Sequence, residues 1–147
     1  MRYFLLAVLF FVTAGNCVTA QSPAINHIAL YVFDLKKSAA FYKGVMQLKE
    51  INEPFKDGKH VWLRMGEHSQ LHLIEGASAV KEHDINSHMA FSVKSLPKFI
   101  QILEKNNIKY GDFKGNAKLQ TPRPDGIKQV YLQDPDNFWI EVNDDKF

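Results

Sequence analysis

The sequence predicts an α+β domain built from two paired βαβββ units. Their eight strands are expected to form a cup-shaped, strongly curved mixed sheet with the helices outside. Three observations carry that expectation. Residues 87–93 alternate, with Met89, Phe91 and Val93 on one face and His88, Ala90 and Ser92 on the other, which is the period of a strand with one apolar side. Residues 26–32 repeat the pattern 61 positions earlier, so that His27 stands for His88 and Ile28, Leu30 and Val32 supply the apolar side. The continuation repeats as well: Asp34 and Ser95 open helical segments at the same offset, and residues 61–63 match 130–132 at an offset of 69.

In the first unit, residues 25–32 read as a strand, and Asp34 can cap a helix running to about residue 46, with Gly44 weakening only its last turn. Residues 49–53 form a second strand ended by Pro54. Asp57-Gly58 is a hairpin signal, after which residues 60–65 set Val61, Leu63 and Met65 against His60, Trp62 and Arg64. Residues 70–74 make the fourth strand, with Leu71 and Leu73 opposite Gln70 and His72. Residues 76–86, small and polar, have no apolar rhythm and form the linker. In the second unit Ser95 caps a helix with Pro97 in its first turn, and Phe99, Ile100 and Leu103 give it a stripe that stops at Asn106-Asn107. Residues 108–113 form a strand, 115–124 an irregular connection, and Asp125-Gly126 a second hairpin signal. Asp134-Pro135-Asp136-Asn137 then makes the last turn before the closing strand at 138–142.

Length and charge bound the rest. A chain of 147 residues with a net charge of +2 and no basic run is one domain, with no electrostatic reason to bind nucleic acid. Arg2, an apolar run at 3–13 and small residues ending at Ala20 read as a secretory signal, residues 1–20, that is removed; the run is short for a spanning helix. The expected protein is therefore exported, periplasmic or secreted, free of the membrane after cleavage, and without cysteine once Cys17 is gone. The single domain occupies 24–147, as units 24–78 and 86–147.

Glu141 falls on His72 at the offset of 69, so four residues occupy equivalent inner positions: His27 and His72 from the first unit, His88 and Glu141 from the second. Three imidazoles and one carboxylate in a shared cavity suit a divalent transition metal. Two histidines and a carboxylate with open positions match non-haem iron(II), and also zinc, manganese, nickel or cobalt. A buried carboxylate between Ile140 and Val142 calls for a cation. His68 in a turn and His83 in the linker read as solvated surface, whereas His60 shares a face with Trp62 and Arg64 and can look into the cavity.

With these units, His27 and His88 on the first strands, and the closing run Asp134-Pro135-Asp136-Asn137-Phe138-Trp139-Ile140-Glu141-Val142, the chain resembles the vicinal oxygen chelate superfamily. That group includes lactoylglutathione lyase (glyoxalase), extradiol dioxygenases, methylmalonyl-CoA epimerase and the fosfomycin and bleomycin resistance proteins. The resemblance spans about residues 24–144. It implies that His27, His88 and Glu141 are metal ligands and that His72 takes the fourth place, where glyoxalases and epimerases usually offer glutamate or glutamine. It also implies a homodimer and a small-molecule substrate contacted by inner-face residues, here Tyr31, His60, Trp62, Arg64, Gln129 and Tyr131, with Arg123 as a carboxylate anchor.

Three activities follow from the resemblance. The first is a glyoxalase-like lyase or isomerase that moves a proton through an enediolate, with Glu141 or His72 as base. The second is an extradiol-type dioxygenase acting on a catechol, with His27, His88 and Glu141 on iron and His72 beside it as acid or base. The third is a binder of small molecules or antibiotics without turnover. Glutathione and acyl-CoA are cytosolic, which weighs against the named glyoxalase substrate for an exported protein.

Overall fold

The computed structural model describes residues 22–146, so the expected export signal lies outside the described residues. It contains two βαβββ-type units. The first comprises β1 (His27–Val32), α1 (Leu35–Gly44), β2 (Lys49–Ile51), β3 (His60–Arg64) and β4 (Gln70–Glu75). The second comprises β5 (His88–Ser92), α2 (Leu96–Lys105), β6 (Tyr110–Gly111), β7 (Thr121–Pro122), β8 (Lys128–Gln133) and β9 (Trp139–Asn143). Each unit makes its own mixed sheet, one ordered β1-β4-β3-β2 and the other β5-β9-β8-β6 with β7 also paired to β8. In both, the first strand runs parallel to the last and the remaining pairs are antiparallel.

The offsets read in the sequence fall on identical ladder positions. Ala29 pairs with His72 and His72 with Trp62, while Ala90 pairs with Glu141 and Glu141 with Tyr131. Because side chains alternate along a strand, this register sends His27, His72 and Trp62 to one face of the first sheet, and His88, Glu141 and Tyr131 to the matching face of the second.

The opposite faces carry the core. Leu30, Val32, Leu63, Leu71 and Leu73 from the first sheet join Val130, Leu132, Ile140 and Val142 from the second in one buried cluster with Phe41, Tyr42, Leu96, Phe99 and Leu103 from the helices. Both helices start as expected. The Asp34 carboxylate accepts from the Lys37 N–H at 2.9 Å, and the Ser95 hydroxyl from the Lys98 N–H at 3.4 Å, each satisfying an orphan donor of the first turn. The connection at 115–124 is less irregular than its composition suggests, since β7 and β8 close a hairpin at Asp125-Gly126. There Gly126 takes φ +90°, and the Arg123 N–H donates to the Ile127 carbonyl at 2.8 Å.

The units are fastened together by the turn between β8 and β9. Asp136 is buried and receives the Phe33 N–H at 2.7 Å and the Ser38 hydroxyl at 2.6 Å. Asp134 is also buried and accepts from the Tyr42 hydroxyl at 2.7 Å and from the N–H groups of Asp136 and Phe138, each at 2.9 Å. Burial pushes the Asp134 carboxyl up from its ordinary value, and the Tyr42 phenol is raised by burial first and by Asp134 beside it second.

Candidate functional site

Each inner face gathers two of the four expected ligands. On the first sheet the rings of His27 and His72 stack at 4.2 Å, nearly parallel at 9°, and Trp62 stacks on the other side of His72 at 3.9 Å and 3°. On the second, His88 Nε2 lies 3.4 Å from Glu141 Oε2. Among the described residues, no group of three or more histidine, cysteine or acidic side chains is placed to hold one metal ion, so one chain sets the two pairs apart.

Hydrogen bonds decide which ring nitrogens are free. His27 Nδ1 meets the Asn26 side-chain oxygen at 2.8 Å, and His88 Nδ1 meets the Ile85 carbonyl at 2.7 Å. Both oxygens only accept, so Nδ1 carries a proton in each ring and Nε2 is the nitrogen turned toward a site, in His88 toward Glu141. His72 is arranged the other way. Its Nε2 meets the Gln70 side-chain oxygen at 2.9 Å, which leaves Nδ1 as the acceptor. A ring nitrogen's lone pair lies in the ring plane, so the near-parallel rings of His27 and His72 aim along lines that do not converge on one ion. The neutral form of His72 is favoured, chiefly by burial and then by the neighbouring His27 and His60.

The carboxylate is held from both sides. Tyr131 donates its hydroxyl to Glu141 Oε2 at 2.6 Å, and Asn143 donates its amide to Oε1 at 2.8 Å. The Gln129 amide in turn donates to the Tyr131 oxygen, and Ser92 donates to the Asn143 side-chain oxygen at 3.0 Å. Glu141 is 7% exposed, and burial followed by the Glu141 hydrogen bond pushes the Tyr131 phenol well up. Two buried polar atoms in this region lack a partner, Trp62 Nε1 and Gln129 Oε1.

The remaining candidates divide. His60 is tied to Asp57 at 2.9 Å and stacked under Phe55 at 4.6 Å, beside Trp62 on the inner face. Tyr31 is exposed at the end of β1 and leans over Gly76, where an added Cβ would sit 2.3 Å from its hydroxyl. Arg64 is exposed. Arg123 is ion-paired to Asp125 at 2.5 Å and to Asp145 at 3.4 Å, so its guanidinium is already engaged. His83 is more than a solvated linker residue, since its ring stacks on Phe138 at 4.0 Å and its carbonyl accepts from the Trp139 indole at 2.9 Å. His68 lines a cleft of about 440 Å³ between the units, together with Ile28, Met65, His88, Met89 and Phe91.

The sequence reading put Gln70 on the face of His72 but gave it no role, and it missed Asn143. Each lies two residues from an expected ligand on the same strand, so the period of two that found His72 and Glu141 points to them as well. It also missed Phe55 and Phe113, loop residues that fold over the inner faces, Phe55 edge-on to Trp62 at 6.1 Å and Phe113 edge-on to Tyr131 at 5.6 Å. No local pattern marks those two.

Paired βαβββ-type units with polar residues at equivalent positions define a duplicated α+β fold. The chain belongs to the glyoxalase/bleomycin resistance protein/dioxygenase superfamily, whose family model matches residues 24–142. Among solved structures it is similar to oxidase ChaP-H2, at 18% identity and a TM-score of 0.71, covering 86% of this chain and 97% of that one. It is also similar to the fosfomycin resistance protein FosX of Listeria monocytogenes (24% identity, TM-score 0.68, 86% and 94% covered) and to a lactoylglutathione lyase from Agrobacterium tumefaciens (22%, 0.63, 84% and 95%). At these identities the likeness is one of fold. No curated protein matches the chain by sequence.

Proposed function

We propose that the chain is a metal-dependent enzyme of the extradiol dioxygenase type, acting on a catechol or similar vicinal diol, with His27, His88 and Glu141 holding the ion. The observation that carries this reading is the opposed orientation of the rings: His27 and His88 hydrogen-bond through Nδ1, leaving His88 Nε2 beside Glu141, whereas His72 commits Nε2 to Gln70. Three ligands on one face leave room for both substrate oxygens and for dioxygen, and iron(II) bound there would supply the one-electron chemistry that brings them together. His72 keeps Nδ1 to take a proton from a substrate hydroxyl. Tyr131 and Asn143 keep Glu141 in one orientation. Phe55, Trp62, Phe113 and Tyr131 give the two faces flat apolar surface that suits an aromatic ring. In a lyase or isomerase Glu141 would leave its place as ligand to carry the proton, whereas Tyr131 and Asn143 fix it in one orientation.

Because one chain keeps the ligand pairs apart, the same reading completes the site between two copies, His27 of one facing His88 and Glu141 of the other. The test is metal content and oxygen uptake of the iron(II)-loaded full chain with a panel of catechols. His88→Ala and Glu141→Ala are expected to lose both, and unchanged metal content in them would discard the site. Isomerisation of a hemithioacetal without oxygen uptake would transfer the protein to the lyase class. Mixing His27→Ala with Glu141→Ala is expected to restore activity that neither shows alone, since one of the two shared sites then keeps all its ligands. Failure of the mixture, with wild type active, would place the whole site in one chain.

A further inference from the structure

The three stacked rings cross β3, β4 and β1 as a column. Trp62 and His72 are paired across the ladder, and His27 stands diagonal to His72, opposite Gln70. Phe55 closes the outer end edge-on to Trp62 at 6.1 Å. Gln70 locks the middle ring by accepting from its Nε2, while Asn26 fixes Nδ1 of the last. The column is specific to the first unit. On the equivalent rung of the second sheet stand Tyr131, Glu141 and Ala90, and His88 meets Tyr131 edge-on at 5.5 Å and 84° instead of being stacked.

A single hydrogen bond through Nδ1 leaves an imidazole free to rock about that bond, and His27 is an exposed residue on an edge strand. Stacking against a ring that is itself clamped removes that freedom. Resting on the reading that His27 holds the ion through Nε2, we infer that Trp62, His72 and Gln70 are positioning residues for the His27 imidazole, and that His72 serves there through its flat face and gives no nitrogen to the metal. Losing a partner that orients a metal-binding side chain weakens metal binding about tenfold to a hundredfold.

The test separates ring from nitrogen. In His72→Phe a flat ring remains and both nitrogens go; in His72→Ala and Trp62→Leu the column is broken. Calorimetric titration of the full chain with cobalt(II) chloride is expected to show near wild-type affinity for His72→Phe and a loss of about tenfold to a hundredfold for the other two. A His72→Phe chain that binds cobalt as poorly as His72→Ala would overturn the inference and make His72 a ligand. If the wild-type chain took up no cobalt, the metal reading would fall by itself, and nitrogen NMR of the metal-free chain would still decide the column. There the His27 ring signals are expected to be sharp in wild type and His72→Phe and broadened by motion in Trp62→Leu. A His27 signal that is the same in all three would sink it.

Discussion

Ser38 is fully buried in α1 and gives its hydroxyl to Asp136, 98 positions away, at 2.6 Å. Replacing it by alanine leaves a buried carboxylate oxygen short of a donor, so Ser38→Ala is expected to lower stability by about 1–3 kcal/mol. A urea titration reads this as a lower midpoint at unchanged slope; an unmoved midpoint would mean that the oxygen finds another donor. This contact also marks the limit of residue-scale reading. His27, His72, His88 and Glu141 could be assigned to inner faces because alternation along a strand fixes which way a side chain points. Nothing local separates a solvated Asp-Pro-Asp turn from one whose acids are buried by a helix from the other unit, so Asp134 and Asp136 read as turn residues only. Arg123 illustrates the same difficulty, since its ion partners Asp125 and Asp145 belong to a turn and to the chain after β9.

Elements were legible in proportion to how much of their stability is local. Both helices carry a cap, a stripe and a stop, and both formed within two residues of expectation. The hairpin signals at Asp57-Gly58 and Asp125-Gly126 each mark a glycine at positive φ. The short strands were harder. β6 was expected over 108–113 and is only Tyr110–Gly111, because pairing there depends on how the 112–120 connection folds back. Gly111 shows the constraint, since a Cβ on it would lie 2.6 Å from the Asn116 carbonyl oxygen, and that oxygen belongs to backbone. Gly111→Ala is expected to cost about 1–3 kcal/mol by overpacking. Gly44→Ala is expected to be neutral or to stabilise by up to about 1 kcal/mol, because nothing lies within 4 Å and the residue is helical. Thermal melts of the two variants should shift in opposite directions or differ clearly in size; equal losses would show that packing at Gly111 is not the cause.

For the whole molecule, the fold class and the duplication were legible because the repeat fixes topology twice over. The separation of the ligand pairs was not, since it depends on how two sheets meet, and no strand pattern encodes that. The fastening between the units has a measurable pH signature. The Tyr42 phenol is held above its ordinary value of 10.0 in the folded chain, so unfolding at alkaline pH releases a proton that the folded form retains. The phenol's contribution to stability is then fully present below pH 10 and is lost as pH rises beyond it, with Tyr131 acting in the same direction. Tyr42→Phe removes one of the two contributions. Its urea midpoint is expected to decline less steeply than that of wild type above pH 10, and identical slopes would assign the alkaline loss elsewhere.

The linker runs exposed through Val80 and Lys81 while the Asp134 and Asp136 contacts and the shared core bind the halves on either side of it. Covalent continuity across that stretch is therefore secondary to the embrace between the halves. A scission there is expected to leave a two-piece particle whose halves stay joined through their buried contacts.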